Sequence, residues 1–390
     1  MTEDGLALCR AALPGLDWQA VGPGSGPAPL PAPGLALGPL RRVVRGAARP
    51  LLLVNDAARV QPQNLVPVLR ELWEEGPIRI LVATGTHAGE AAFYRDRLGG
   101  LPAEVHVAAD EEAHAELLPG WALDRRVLKA DAVVAFGSVE PHYFGGWTGA
   151  HKTGTIGVAA RSSVTRNHRM ALETSAAPCR LDENALARDI LMAAEVLGVE
   201  RRFLCVNQVL DQDGRTLASA VGTVRGSLAR VLPAAIRRGV VQLERQVDLV
   251  VASAEGPIGQ DLYQADKGLK NWEAALRDGG QLVLLAPLAG GVGPDRFLEL
   301  LRAAPTHDAA RARVEREGYR LGDHKAVRWR ALESRGVTIR LVSSGVRAEQ
   351  LEGTGIALYP DLASACAPLA GLRGRGLFVS DAGNVVAQVG

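Results

Sequence analysis

Short apolar runs that alternate with helical patterns constrain the fold of this chain most. The first series predicts buried strands at residues 51–54, 79–83, 105–108 and 132–136. Helical patterns lie between them, near residues 64–73 and 90–98. A second series predicts strands at residues 249–252, 281–285, 338–342 and 376–379. Strands that alternate with helices need crossover connections and therefore form parallel sheets, so we expect an α/β protein with two Rossmann-like domains.

The predicted domain boundaries follow from these two series. Residues 1–245 are expected to form an N-terminal α/β domain, and residues 246–370 a C-terminal α/β domain. Residues 371–390 are expected to form a final strand and tail. A chain of 390 residues is long enough for two domains that each bury a core of their own.

Charge and composition narrow the functional classes. The chain has 44 Lys and Arg against 43 Asp and Glu, a net charge of +1 that predicts no nucleic-acid or membrane partner. Its 4 cysteines form no C-x-x-C pair, which argues against a disulfide framework and fits a reducing compartment. The sequence shows no secretory leader and no apolar run of the ~18–20 residues that a membrane span needs. We therefore expect a cytoplasmic protein.

Polar residues follow three of the predicted strands at the points where those strands end. Residues 55–59 follow the first strand, residues 84–87 the second and residues 140–142 the fourth. Open α/β sheets bind ligands outside the carboxyl ends of their strands. The three polar groups are therefore expected to converge on one site.

The stretch at residues 138–168 is the best candidate for chemistry, because it holds an acid, three histidines, a lysine and five glycines. Histidine and lysine bind metals, move protons or carry covalent adducts. Lys152 has little apolar surface around it, which favours anion binding or covalent chemistry. For His87 and His142 a catalytic role is favoured over a capping or turn role, whereas His168 alone could be a surface helix residue.

The order of these motifs resembles that of the nickel-pincer lactate racemase family of 2-hydroxy acid racemases and epimerases. The shared order is Asp-x-x-Arg, Thr-Gly-x-His, Glu-Pro-His, Lys, Asn-His and Gln-Ala-x-Lys. His142 lies 10 positions before Lys152, Lys152 lies 16 before His168, and Gln264 lies 3 before Lys267. The resemblance covers roughly residues 45–350, and the combination is far more specific than its parts.

The resemblance implies two α/β domains with the active site in the cleft between them. Lys152 would hold a pyridinium-derived nickel pincer nucleotide covalently, and His168 would be the protein ligand to the nickel. The remaining expected site residues are the nucleotide contacts Asp56, Ala57, Ala58 and Arg59, the acid/base pair His87 and His142, and the substrate-carboxylate ligands Gln264 and Lys267.

The activity implied by the resemblance is racemisation or epimerisation at C2 of a 2-hydroxy carboxylic acid, by reversible hydride transfer to the cofactor. The expected partners are this small-molecule substrate and the enzymes that build the cofactor. Residues 148–151 read Thr-Gly-Ala-His where the family usually has Ser-Gly-Gly-Arg, and Ile156 replaces a proline. These differences suggest a substrate other than lactate.

Two alternatives remain open at this point. One is a pincer-free enzyme on the same scaffold, in which His87, His142 and His151 bind zinc or another divalent metal. The other is a non-catalytic protein that binds small anions.

Overall fold

The computed structural model describes residues 2–23, 34–57, 59–87 and 89–390, with the side chains of Thr2, Glu3 and Arg201 left out. The chain divides into two compact units. The first unit is Ala28–Ile236, and the second unit combines Met1–Pro27 with Arg237–Gly390. None of the described helices is both long enough and apolar enough to cross a membrane.

The strands of the described chain are, in order, β1 (Leu16–Val21), β2 (Pro50–Asn55), β3 (Arg79–Ala83), β4 (Glu104–Val105), β5 (His114–Leu118), β6 (Trp121–Asp124), β7 (Ala132–Ser138), β8 (Pro141–His142), β9 (Gly146–Trp147), β10 (Phe203–Leu210), β11 (Thr216–Gly222), β12 (Val240–Leu243), β13 (Val247–Ser253), β14 (Leu276–Leu285), β15 (Thr338–Val342), β16 (Ala357–Tyr359), β17 (Gly374–Val379) and β18 (Val386–Val389).

The α-helices are, in the same order, α1 (Thr2–Ala12), α2 (Leu37–Arg45), α3 (Leu65–Glu75), α4 (Ala91–Arg97), α5 (Arg125–Lys129), α6 (Ala150–Thr153), α7 (Arg161–Arg169), α8 (Ala185–Arg201), α9 (Val224–Gly239), α10 (Leu262–Trp272), α11 (Asp295–Ala303), α12 (His307–Glu317), α13 (Asp323–Ser334), α14 (Ala348–Leu351) and α15 (Leu362–Cys366).

The sheet of the first unit has the strand order β11-β10-β7-β2-β3-β4. All neighbours are parallel except β10 and β11, which are antiparallel. The chain runs from β2 to β3 and β4 on one side and then to β7 and β10 on the other. The strand order therefore reverses between β2 and β7, which is where doubly wound sheets bind ligands.

The core of the first unit follows from the alternation of side chains along its strands. Leu52 and Val54 of β2 pack with Val134 and Phe136 of β7 against helices α2, α3 and α4. The intervening strand residues point to the opposite face, because successive side chains of a strand alternate. Helices α6 and α8 contact β7 and β10. Both faces of the sheet are thereby covered, as a parallel sheet requires.

The second unit contains an all-parallel sheet with the order β1-β17-β13-β14-β15-β16. The prediction of two Rossmann-like α/β units is confirmed. In this sheet the order reverses between β13 and β17.

The division of the chain differs from the predicted boundaries at both ends. Strand β1 pairs in parallel with β17, so the first residues of the chain lie in the second unit and not with the N-terminal domain. The buried side chains of Leu16 and Trp18 join a core with Leu249 and Phe378. Strands β17 and β18 are integral to this unit, where a separate tail at residues 371–390 was predicted. Sequence patterns missed this pairing because it joins segments at opposite ends of the chain.

Most predicted strands are confirmed, and one differs in length. The strand predicted at residues 105–108 is only Glu104–Val105. Helix α9 continues through Pro233. The hairpin of β5 and β6 and the antiparallel strand β11 had no distinct sequence signal.

Candidate active site

The ends of β2 and β3 meet through a carboxylate–imidazole pair. Nδ1 of His87 lies 2.6 Å from Oδ2 of Asp56. The Asp56 side chain is 8% exposed and the His87 side chain is 49% exposed. The carboxylate is therefore buried in the protein, while about half of the imidazole surface is accessible to solvent. Since a carboxylate accepts, Nδ1 of His87 carries a proton, and in the neutral ring Nε2 then keeps its lone pair.

The loop that carries His87 is shaped by Gly85, whose φ of 57° lies in the left-handed region that favours glycine. The backbone N–H of Gly85 donates to the carbonyl oxygen of Gly157 at 2.9 Å, and that of His87 donates to the carbonyl of Thr84 at 3.1 Å. The turn therefore holds the His87 backbone in place although its side chain is half exposed.

The ends of β2 and β7 meet through an ion pair. Nη1 of Arg59 donates to Oε2 of Glu140 at 3.2 Å, and both side chains are about a quarter exposed. Thr148 fixes the backbone of Glu140 from the other side, because its backbone N–H donates to the Glu140 carbonyl at 2.9 Å. Together with the Asp56–His87 pair, this contact brings the three predicted polar groups to one end of the sheet.

His142 lies on the short antiparallel hairpin of β8 and β9. The backbone N–H of Gly145 donates to Nδ1 of His142 at 3.0 Å. An N–H can only donate, so Nδ1 is an acceptor and the neutral ring carries its proton on Nε2. His87 and His142 are therefore held in opposite tautomers.

Helix α6, which carries Lys152, is tied to three strands of the sheet. The backbone N–H of Ala150 donates to Oδ1 of Asn207 on β10 at 2.8 Å, and Oγ1 of Thr153 donates to Oδ1 of Asn55 on β2 at 2.9 Å. A Cβ on Gly137 of β7 would lie 2.1 Å from the Ala150 nitrogen, so only glycine permits this close approach. These contacts fix the helix that presents Lys152.

Lys152 follows His151 directly in the sequence, and His168 lies close enough to it in space to be affected by its charge. Burial, together with the positive charge of Lys152, lowers the pKa of His151 to about 3. Burial likewise lowers the pKa of His168 to about 3, again with a contribution from Lys152. Both rings are therefore neutral at physiological pH.

The hydrogen bonds of Asn167 select the tautomer of His168. The Asn167 amide nitrogen donates to the Leu186 carbonyl and to Oδ2 of Asp189, so its Oδ1 is left to face Nδ1 of His168 at 3.2 Å. Nδ1 of His168 must then donate, and Nε2 keeps its lone pair. A neutral imidazole whose other nitrogen donates to an oxygen is the usual form of a metal-bound histidine. The donor set at His168 and Lys152 therefore fits the nickel cofactor that the resemblance implies.

Phe144 packs between two of the histidines. Its ring centroid lies 4.6 Å from that of His142 and 5.1 Å from that of His168, both edge-on. The buried Phe144 ring thus places the candidate acid/base residue next to the candidate metal ligand.

Gln264 and Lys267 lie on α10 of the second unit. Asp261 caps this helix, and its side chain accepts from the Gln264 backbone N–H at 2.7 Å. Residues three apart share a helix face, so the two partly buried side chains point to the same side. The buried pair of Asp266 and Lys325, with Oδ2 and Nζ 3.4 Å apart, joins α10 to α13.

Two of the expected nucleotide contacts, Ala57 and Ala58, give little information about the geometry of the site. The Ala57 backbone N–H donates to the Tyr94 hydroxyl at 3.3 Å. Ala58 lies outside the described residues.

The alternative zinc site at His87, His142 and His151 is not supported. Of the residues described, only His106, His114 and Asp124 form a group of three with all ligand atoms within 4.8 Å of one another. Two members of this group lie on the hairpin of β5 and β6, which no sequence pattern predicted. The positioning residues Asn55 and Asn207 lie on buried strands, whose apolar patterns do not distinguish them.

Comparison with known proteins identifies relatives of the chain. The family model of the lactate racemase N-terminal domain matches residues 120–178, and that of the C-terminal domain matches residues 242–322. Lactate racemase of Lactiplantibacillus plantarum is 26% identical over 284 residues, and that of Thermoanaerobacterium thermosaccharolyticum is 27% identical over 278 residues. Each match covers 66% of this chain and 64% of the relative, so the matched part spans less than two thirds of the length of these relatives.

Two solved structures share the fold. The lactate racemase apoprotein of Thermoanaerobacterium thermosaccharolyticum has a TM-score of 0.81 at 20% identity, covering 97% of this chain and 96% of that one. A protein of Thermotoga maritima has a TM-score of 0.69 at 15% identity, covering 93% of this chain and 100% of that one. With the two family models, these findings confirm the resemblance to the lactate racemase family that the motif order predicted.

Proposed function

From this relationship to the lactate racemases, we propose that the protein is an isomerase that racemises or epimerises C2 of a 2-hydroxy carboxylic acid. The observation that carries the proposal is the position of Lys152 near the neutral ring of His168, whose Nδ1 faces the Asn167 carboxamide oxygen. The same unit holds His87 and His142 in opposite tautomers. Racemisation needs one group that takes a proton and one that offers a proton.

Lys152 would hold the pyridinium-derived nickel pincer nucleotide covalently, with Nε2 of His168 on the nickel and residues 56–59 against the nucleotide portion. When bound, the cofactor supplies an electron-poor centre that takes the C2 hydrogen as hydride and returns it. This chemistry is needed because the C2 hydrogen of a hydroxy acid is too weakly acidic for an unaided histidine to remove.

His87 would take the hydroxyl proton in one direction of the reaction. Asp56 accepts its Nδ1–H, so the Nε2 lone pair is available to the substrate. The same carboxylate stabilises the imidazolium that forms when Nε2 gains the proton. A positioned acid/base group of this kind contributes typically ~10²–10⁴-fold to a rate.

His142 would act on the other orientation of the substrate. Its Nε2–H can donate to the oxygen on C2 and stabilise negative charge there, because Gly145 keeps Nδ1 as the acceptor. Gln264 and Lys267, three positions apart on α10, would hold the substrate carboxylate. The carboxylate is common to all 2-hydroxy acids, so these contacts define the substrate class and not its side chain.

The test is to produce the protein together with the cofactor-building enzymes and to measure intact mass and racemisation. The wild-type protein should carry an adduct and interconvert the enantiomers of at least one 2-hydroxy acid in a panel resolved by chiral chromatography. Lys152→Ala should lose both the adduct and the activity. Lys129→Ala, at an exposed lysine of α5, should keep both. Unmodified protein with full activity would overturn the cofactor assignment, and modified protein inactive on every hydroxy acid would overturn the reaction.

A further inference from the structure

A second group of chemically competent side chains lies at the carboxyl end of β4, next to the β3 exit that leads to His87. We call His106, His114 and Asp124 the histidine–aspartate cluster. All three side chains are buried, and their nearest ligand atoms all lie within 4.8 Å of one another. His114 and Asp124 face each other across the β5–β6 hairpin, while His106 directly follows β4. The proposed racemase chemistry uses none of them.

The two rings meet through the same nitrogen. Nε2 of His106 lies 3.0 Å from Nε2 of His114, and the ring planes are nearly perpendicular, at 87°. Nδ1 of His114 lies 2.7 Å from the carbonyl oxygen of Asp110. Nδ1 of His106 lies 3.2 Å from Oγ1 of Thr84, whose hydroxyl already donates to the His106 carbonyl at 2.7 Å.

The contacts of His114 fix the tautomer of its neutral ring. The Asp110 carbonyl can only accept, so Nδ1 of His114 is protonated and Nε2 of the neutral ring carries a lone pair. This lone pair faces Nε2 of His106 at 3.0 Å. The His106 ring is held by Thr84 and by the Ala159 carbonyl.

Either a proton on Nε2 of His106 or a metal ion can occupy the space between the two Nε2 atoms. A metal ion would draw on all three side chains of the cluster, since their ligand atoms lie within 4.8 Å of one another. All three side chains are buried, so such an ion would be shielded from bulk water.

We propose that the histidine–aspartate cluster binds one divalent transition-metal ion, with zinc as the best match, through Nε2 of His106, Nε2 of His114 and the carboxylate of Asp124. Two imidazoles and a carboxylate are common zinc ligands. The outer contacts resemble those of known metal sites, where each imidazole donates its other N–H to an oxygen. Arg126 binds both carboxylate oxygens of Asp124 and orients them.

The bound metal would have a structural role. It would tie the β5–β6 hairpin to the β3 exit, since Thr84 contacts His106 and also accepts the backbone N–H of His87. The site is separate from Lys152 and His168, so metal binding here does not depend on the pincer cofactor.

The test uses the full-length protein, stripped with a chelator and then incubated with Zn²⁺ or Co²⁺ before desalting. A single zinc ion per chain should remain, and Co²⁺ should give visible d–d absorption. Both signals should persist in Lys152→Ala and His87→Gln and be lost in His106→Gln and His114→Gln. Asp124→Asn should weaken zinc binding at least tenfold. The matched control is His307→Gln, a partly exposed histidine of the second unit, which should bind like the wild type.

The wild-type protein decides the question even if the cluster variants fail to fold. Stoichiometric zinc with nitrogen and oxygen but no sulfur ligands by X-ray absorption supports the site, since the four cysteines lie elsewhere in the sequence. Absence of retained zinc together with absence of a cobalt spectrum would overturn it and leave a shared proton between the rings. Retention of the metal by both histidine variants would also overturn it. None of these outcomes depends on racemase activity.

Discussion

At the scale of single residues, the proposed chemistry depends on which nitrogen of each histidine carries a proton. Asp56 sets this for His87, and a backbone N–H sets it for His142. Neither ring needs to move to act as acceptor or donor towards a substrate. Mutations that change which nitrogen of His87 or His142 is protonated therefore test the proposed chemistry most directly.

Asp56→Asn should lower the racemisation rate by ~10²–10⁴-fold, the range of general acid–base catalysis. A carboxamide is neutral and can donate to Nδ1 of His87, which would place the proton on Nε2 and remove the base. The measurement is the rate of enantiomer interconversion, with adduct mass and circular dichroism as checks on cofactor loading and fold. Asp308→Asn is the matched control, because Asp308 also lies beside a histidine but is fully exposed. Loss of the adduct in Asp56→Asn would show that Asp56 serves the nucleotide and not His87.

His87→Ala and His142→Ala should differ in which enantiomers they oxidise in single turnovers. Steady-state kcat/KM cannot separate them, since both enantiomers of a racemase share one equilibrium. His142→Ala should still oxidise one enantiomer to the 2-oxo acid in a single turnover, through His87. His87→Ala should oxidise neither enantiomer, because Nε2 of His142 already carries a proton and cannot take another. Rapid quenching and assay of the 2-oxo acid measures this. Equal losses for both enantiomers in both variants would mean that these histidines only bind substrate.

Acidification should destabilise the protein through His151. Burial keeps its folded-state pKa at about 3, against 6.5 for an ordinary histidine. Below pH 6.5 the unfolded state therefore binds the proton that the folded state refuses, and the free energy of unfolding falls until the folded pKa is reached. At pH 5 the shifted pKa of His151 lowers the free energy of unfolding by about 2 kcal/mol.

Urea denaturation at pH 7 and pH 5 measures the effect of His151. The difference between the two pH values should be smaller in His151→Gln than in the wild type by about that amount. His307→Gln, at a partly exposed ring, should leave the difference unchanged. An equal pH dependence in wild type and His151→Gln would contradict the prediction.

At the scale of elements, the position of Lys152 depends on how closely α6 approaches β7. A Cβ on Gly137 would lie 2.1 Å from the Ala150 nitrogen and 2.3 Å from the Gly149 carbonyl carbon. Both are backbone atoms, so the helix itself would have to shift. The position of Lys152 above the sheet thus depends on Gly137, a strand residue to which no role in substrate binding is assigned.

Gly137→Ala should destabilise the protein by ~1–3 kcal/mol, the usual cost of overpacking, and should lower the fraction of chains that carry the Lys152 adduct. Denaturant titration and intact mass measure the two effects. Gly198→Ala is the matched control, because a Cβ there on α8 would meet nothing within 4 Å. The control should gain roughly 0.5–1 kcal/mol, since alanine suits a helix better than glycine. If all chains of Gly137→Ala still carried the Lys152 adduct, the position of α6 would not control cofactor attachment, and the prediction would be wrong.

At the scale of the whole molecule, the second unit is completed by the first residues of the chain. Strand β1 pairs along six residues with β17, and the buried Trp18 donates its indole N–H to the Leu13 carbonyl at 3.1 Å. Strand β17 thus becomes an internal strand, with β1 on one side and β13 on the other.

Deletion of residues 2–21 should destabilise the second unit selectively. Hydrogen exchange followed by mass spectrometry should show faster exchange in peptides from Arg237–Gly390, while peptides from Ala28–Ile236 keep their protection. Trp18→Ala is the milder variant and should cost ~3–5 kcal/mol, as expected for a buried tryptophan. A uniform increase in exchange along the whole chain would contradict the assignment of these residues to the second unit.

The sequence by itself predicted the parallel α/β architecture, the strands from β2 to β15 that follow clear apolar runs, and the carboxyl-end location of the polar groups. It did so because burial imposes its periodicity locally, within a few residues of each strand. The motif order added the resemblance to the lactate racemases. The roles of Gln264 and Lys267, and of the nucleotide contacts, stay predictions.

Only the tertiary structure decided which polar groups meet. The pairing of His87 with Asp56, the bond from Gly145 to His142, the position of β1 beside β17 and the meeting of His106 with His114 all join residues from different elements or loops. None of these contacts leaves a local pattern, since hydrogen-bond geometry depends on how the elements pack. The sequence therefore determined where chemistry could occur, while the packing of strand ends determined which nitrogen of each histidine carries the proton.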